Sequence, residues 1–153
     1  VAIDIRTGDL SDPRVVGLLD HHYRTCHAVT PPGSAHVFDL SRLRSPDVDF
    51  WAAWEDDDLL AVGALKRLDH RHGEVKSMHT AENARRRGIA AAMLRHIIDA
   101  ARAHGLERLS LETGSFAFFQ PAVALYKAHG FVECPPFGDY RPDPNSTFLT
   151  LAL

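Results

Sequence analysis

Only two cysteines, Cys26 and Cys134, occur in this chain, and neither has a second thiol or a histidine pair at metal-ligand spacing. That excludes a disulfide scaffold and a zinc ribbon, and leaves two free, reduced thiols as the expectation. No apolar run approaches the roughly 20 residues that a membrane span requires. The opening stretch Val1 to Arg6 has neither the basic n-region nor the long apolar h-region of a signal peptide, so the expected compartment is the cytoplasm, with no membrane partner. Positive charge is not in excess either. A formal charge of -3 argues against a general polyanion binder, so no nucleic-acid partner is expected and any anion site must be local. The Lys-Ser/Thr pair of a nucleotide P-loop is missing, as is the G-x-G-x-x-G dinucleotide fingerprint. Low-complexity windows are absent too, and 153 residues suit one domain, residues 1–153, with one sizeable core.

What is present reads as strands and helices in mixed order. Ala2 to Arg6 alternates as an opening strand would, and Ser11-Asp12-Pro13 then caps a helix expected from Pro13 to about Cys26. Thr30-Pro31-Pro32-Gly33-Ser34 breaks that helix, and the residues to Pro46 read as a loop with one short helix. Phe50 to Glu55 and Leu59 to Leu68 are apolar runs of strand length joined by Asp56-Asp57-Asp58, which predicts a hairpin. Glu74 to His79 extends it to a third antiparallel strand. From Gly88 the period changes: Ile89, Met93, Ile97 and Ala101 recur every four residues, with Leu94 and Ile98 beside them, the pattern of an amphipathic helix. It ends at His104-Gly105, before the strand Leu109-Ser110-Leu111. The same punctuation recurs where a helix from Ala122 to His129 closes at Gly130, ahead of Phe131-Val132, and Thr147 to Leu153 makes a last strand. The repeated helix-Gly-strand step predicts crossover units of an α/β (α+β type) sheet, mixed but mainly antiparallel and flanked by helices.

Chemistry concentrates between Glu74 and Leu94. A strand leads through Arg85-Arg86-Arg87-Gly88-Ile89-Ala90 into the long helix. A helix N-terminus offers unpaired amides and the positive end of the macrodipole, so a link wrapping over it suits a pyrophosphate. Gly88 permits close backbone approach, Ala90 keeps the first turn open, and arginines add charge-assisted contacts. By spacing alone, a solvated basic helix start reads equally well.

The pattern Arg85-x-x-Gly88-x-Ala90 resembles the Gln/Arg-x-x-Gly-x-Gly/Ala signature of the GNAT superfamily of N-acetyltransferases. Ala122-x-x-Leu125-Tyr126-x-x-x-Gly130-Phe131 is similar to that family's closing helix motif. The resemblance implies a GNAT-like acyl-CoA fold and acetyl-CoA-dependent transfer to a primary amine of a small molecule or peptide, by direct attack in a ternary complex, with no metal. It implies that the pyrophosphate lies on the Arg85, Arg86, Arg87, Gly88, Ile89, Ala90 and Ala91 loop, and that the pantetheine arm pairs with the backbone at Met78, His79 and Thr80. It implies Tyr126 as the proton donor to the departing thiolate. For the base it suggests Glu74, fourteen residues before Gly88, with Glu112 and His79 as rivals and ordered water as a further route. Alternation predicts Glu74, Lys76 and Met78 on one face of their strand and Val75, Ser77 and His79 on the other. One departure stands out: Phe119 occupies the place where the family often carries a pantetheine-facing asparagine, and the neighbouring Gln120 is the candidate replacement. The acceptor pocket is implied to lie near His21 to Pro46 and Pro135 to Pro144, and a homodimer is a further implication.

Each reading has a plainer rival. Tyr126 also suits a buried structural tyrosine, and Glu74 a solvated turn carboxylate. His21-His22 and His70-Arg71-His72 lack companion metal ligands. Phe50, Trp51 and Trp54 read as sheet core before they read as a base-stacking platform. The chief functional alternative is a non-catalytic acyl-CoA-binding sensor module of the same fold.

Overall fold

The computed structural model describes residues 3–30, 40–85 and 87–153. Ala2, the loop residues 31–39 and Arg86 lie outside the described residues. The chain runs β1 (Asp4–Thr7), α1 (Pro13–Val29), α2 (Leu40–Leu43), β2 (Val48–Glu55), β3 (Asp58–Arg67), β4 (His72–Thr80), α3 (Ile89–Ala103), β5 (Arg108–Gly114), α4 (Gln120–Ala128), β6 (Val132–Glu133) and β7 (Ser146–Ala152). The strands form one sheet in the order β1-β2-β3-β4-β5-β7-β6, in which only the β4–β5 pair is parallel. The mixed, mainly antiparallel α/β architecture expected from the sequence is the one observed.

Local chemistry explains the helix ends. Asp12 accepts the Arg14 amide at 2.9 Å as N-cap of α1, and Pro13 takes the first turn. This helix outlasts its expected end at Cys26 and runs to Val29, where Thr30 turns extended ahead of Pro31, because a residue before proline disfavours the α region. Both helix-Gly-strand steps are Schellman caps. Gly105 and Gly130, at φ 77 and 96, donate to the carbonyls of Arg102 and Lys127, while Leu106 and Phe131 donate back to Ala101 and Tyr126. The apolar contact that accompanies such a cap is here Phe131 against Tyr126, ring centroids 5.8 Å apart. The Leu-Tyr-x-x-x-Gly-Phe motif is therefore a helix-ending device that also fixes the tyrosine.

The sheet carries a core on each face. Leu65, Val75, Leu109 and Leu111 pack with Ile89, Met93, Ile97, Val123 and Tyr126 of α3 and α4. Phe50, Ala52, Trp54, Val62 and Ala64 pack with Val15 of α1 and Leu43 of α2 on the other. Phe50 and Trp54, 6% and 5% exposed, thus belong to the sheet core.

Two irregularities in β4 shape the centre. Ala64 pairs with Lys76 but Val62 pairs with His79, so Gly63 stands opposite both Ser77 and Met78, and Ser77 has φ 55. This bulge reverses the expected alternation beyond Lys76. His79 joins the α1 face with Glu74 and Lys76, and Met78 turns to the α3–α4 core. The second irregularity is a parting of strands: β4 and β5 pair only at His72–Arg108, Gly73–Leu109 and Glu74–Ser110.

Candidate active site

Beyond Glu74 and Ser110 the two arms enclose a cavity of about 630 Å³. Val75 to Thr80 line one arm and Glu112 to Gly114 the other, with Arg85, Gly88 and Ile89 to Ala91 at one end. Phe118, Phe119, Ala122, Leu125 and Tyr126 wall it on the α4 side, and His22, Thr25, Cys26 and Thr30 on the α1 side. The cavity therefore passes between the arms and reaches both faces of the sheet.

At the basic end, Gly88 is the N-cap of α3 in the left-handed region, φ 76, and no side chain caps the helix. The first main-chain bond into the helix runs from Ala92 to the Gly88 carbonyl at 3.1 Å. The amides of Ile89, Ala90 and Ala91 consequently have no acceptor within α3, and these three residues line the cavity end. A Cβ on Gly88 would meet no protein atom within 4 Å, so within the chain glycine is called for by its backbone angle, and a side chain would project into open space at the cavity end. Of the arginine run, Arg85 lines the cavity, whereas Arg87 pairs with Glu55 at 2.5 Å and lies outside the lining. This end fits a diphosphate: backbone donors converge on it, a dipole favours an anion, and an arginine stands beside them. The adjoining edge of β4 from Val75 to Thr80, with no strand pairing to β5, fits an extended amide-bearing arm.

Tyr126 is 8% exposed and its O–H approaches the Met78 Sδ, a weak acceptor, at 4.0 Å. Burial pushes its phenol pKa well up, so the proton is held throughout the physiological range. Glu112 lies across the fork on the α1 face. Burial lifts its carboxyl to about 7, against the lowering influence of the Ser146 hydroxyl, which donates to Oε2 at 2.6 Å. Glu74 is neither solvated nor part of the lining. It is 4% exposed, bonded to the Tyr140 hydroxyl at 2.6 Å and paired with Lys76 at 3.3 Å, because the segment before β7 brings Tyr140 against it.

His79 shares a 3.1 Å Nδ1–Nδ1 contact with His22, and Cys26 Sγ lies 3.8 Å from the same His22 nitrogen. Burial lowers His22 to about 4 and His79 to about 3, keeping both rings neutral, and raises the Cys26 thiol to about 11. Phe119 lines the cavity, while Gln120 turns its side chain to the Ser115 carbonyl at 3.5 Å and does not. Sequence reasoning did not find Lys76, Tyr140 or Ser146. Lys76 carried a faint signal, two residues after Glu74 on one strand face, but Tyr140 sits in a Pro- and Gly-containing segment with no periodicity to read.

The family model described as acetyltransferase (GNAT) family matches residues 16–131. The chain is 50% identical over 149 residues to the Bacillus subtilis (strain 168) protein named uncharacterized N-acetyltransferase YsnE, covering 97% of this chain and 99% of that one. It is equally identical, over 149 residues, to the Escherichia coli (strain K12) protein named uncharacterized N-acetyltransferase YedL, covering 97% and 94%. Its fold matches that of a Bacillus subtilis acetyltransferase crystallised in complex with CoA, with a TM-score of 0.72 at 18% identity and 99% of each chain covered. A forked sheet, an uncapped helix N-terminus at the fork and these likenesses agree: the chain is an acyltransferase and belongs to the acetyltransferase (GNAT) family.

Proposed function

We propose that this chain, acting as one domain over residues 1–153 in the cytoplasm, transfers the acetyl group of acetyl-CoA to a primary amine of a small molecule or peptide within a ternary complex. The observation that carries this reading is the cavity that reaches both faces of the sheet: cosubstrate enters beside α4 and the acceptor beside α1. Acetyl-CoA supplies a thioester carbonyl carbon that the amine nitrogen attacks and a thiolate that departs.

The chain's own groups do the rest. Amides of Ile89 to Ala91, with Arg85, hold the diphosphate, and the backbone of Met78, His79 and Thr80 holds the arm. Glu112, half-ionised near neutrality, takes the proton that the attacking amine loses. Tyr126, protonated and walled by apolar side chains, gives its proton to the departing sulfur. Direct attack is favoured over a covalent acyl-enzyme because Cys26, the thiol lining the cavity, is held protonated. Glu74 is held by Tyr140 and Lys76 through Oε2 and lies outside the cavity lining, which favours Glu112 over it as the base.

The test is a panel of amines with acetyl-CoA, read by thiol release. One or more acceptors should give turnover with intersecting double-reciprocal lines. Parallel lines would contradict the ternary complex, and CoA binding without turnover on any amine would favour the sensor.

A further inference from the structure

The Glu74–Lys76 pair, with Glu74 at the last β4–β5 rung and Lys76 two residues beyond it, is nearly closed to solvent, with side chains 5% and 12% exposed. A buried ion pair is a poor source of stability, because desolvating both charges offsets most of their attraction. Its placement is specific. Glu74 is in register with Ser110, so the two face the same way, and one step further on Lys76 and Glu112 share that face and line the cavity.

Tyr140 fixes the pair. Its hydroxyl donates to Glu74 Oε2 at 2.6 Å and accepts from Lys76 Nζ at 2.9 Å. Its ring packs against Phe137 and Phe148, with centroids 5.1 and 5.5 Å away. The groups around Glu112 are therefore Lys76 and Glu74 from β4, Tyr140 and Asp143 from the segment before β7, Ser146 from β7 and Cys26 from α1.

We propose that Glu74, Lys76 and Tyr140 form a positioning network that holds one ammonium and one carboxylate beside Glu112 and so sets the pH at which Glu112 is free to take the acceptor's proton. The inference rests on the reading of Glu112 as proton acceptor. The signs follow from charge. The Lys76 ammonium favours the Glu112 carboxylate and the Glu74 carboxylate opposes it. Removing Lys76 makes Glu112 harder to ionise, since the lysine's attraction for the carboxylate is lost. Neutralising Glu74 makes Glu112 easier to ionise and leaves the lysine less compensated, which acts in the same direction.

The experiment is the pH dependence of kcat/KM for the wild type, Lys76→Met, Lys76→Arg and Glu74→Gln, beside a carboxyl NMR titration of Glu112 in each. The acidic limb and the Glu112 titration are expected to move up by about one pH unit in Lys76→Met and down by about one in Glu74→Gln. Lys76→Arg should restore the wild-type position. A network that merely braces the fold would lower the rate without moving the limb in opposite directions. Movement of both variants the same way, or no movement, overturns the inference. Glu74→Gln, being isosteric, carries the test if Lys76→Met does not fold. Should Glu112→Gln keep full rate and an unchanged limb, the reading of Glu112 as base fails, and the NMR titration alone then decides the network.

Discussion

Glu74 and Ser110 form the last rung joining β4 to β5, and two residues beyond them Lys76 and Glu112 look into one cavity from separate arms. This rung sets where the fork begins. Below it the arms are held by backbone bonds and by a polar ladder in which His72 meets Ser110 Oγ at 2.7 Å and Ser110 Oγ meets Thr150 Oγ1 at 2.8 Å. Above it the β4 bulge and the α3 N-terminus expose main-chain groups that a ligand can use. Tyr126 and Glu112, the side chains proposed for catalysis, then line one opening from its two sides.

Replacing Tyr126 with phenylalanine removes a proton donor and leaves the ring that packs on Phe131. Turnover is expected to fall by about 10²- to 10⁴-fold with CoA affinity nearly unchanged. Steady-state kinetics beside a binding isotherm checks this. Unchanged turnover would mark Tyr126 as structural.

Glu112 must be ionised to take a proton, and burial holds it at about 7. Wild-type kcat/KM should therefore rise with pH through neutrality, and Glu112→Gln should lose most of its rate together with that limb. A pH–rate profile of both proteins decides it.

Gly88 has φ 76, with open space where a Cβ would stand. Gly88→Ala forces a left-handed alanine at a cost of about 1–2 kcal/mol, which lowers the melting temperature by about 2–8 °C in a chain of this size. Gly88→Asn should cost less, because asparagine enters this region more readily. CoA affinity should drop in both, since the new side chain crowds the cradle. Thermal melts with and without CoA separate the two effects.

The histidine pair predicts a dependence of stability on pH. His22 and His79 fall from 6.5 to about 4 and about 3 on folding, so their contribution is complete above pH 6.5 and is lost as pH drops toward those values. Glu112 rises from 4.5 to about 7, so its contribution is complete below pH 4.5 and is lost as pH climbs through about 7. Near pH 5.5 the unfolded chain binds two histidine protons against the folded chain's one at Glu112, so stability should increase with pH. Urea midpoints should be lower at pH 5 than at pH 6.5, and the double variant His22→Gln/His79→Gln should narrow that gap.

Local patterns made much of the fold legible. The three-strand meander, the stripe of α3 and both glycine-capped helix ends are written in spacings of two to four residues, where backbone geometry acts directly on sequence. The order β5-β7-β6 was not legible, because β7 inserts between strands already made and nothing in Ser146–Ala152 names its neighbours. Nor was the bulge at Ser77, where a serine takes an angle that glycine usually marks. That single residue moved His79 to the face of Glu74 and Met78 away from it. The residues of the proposed diphosphate cradle could be read together because Arg85 and Gly88 to Ala91 lie within one short stretch of sequence. The Glu74–Lys76–Tyr140 cluster spans the chain from β4 to a segment more than sixty residues later, and only packing reveals it.

As proposed, coenzyme A is seated jointly by the unpaired amides at the start of α3 and the open edge of β4. Isothermal calorimetry of the intact chain with coenzyme A tests this most directly. It should show saturable one-to-one heat that weakens in Gly88→Ala. Absence of heat, or weak binding that salt abolishes and inorganic pyrophosphate reproduces in full, would contradict it.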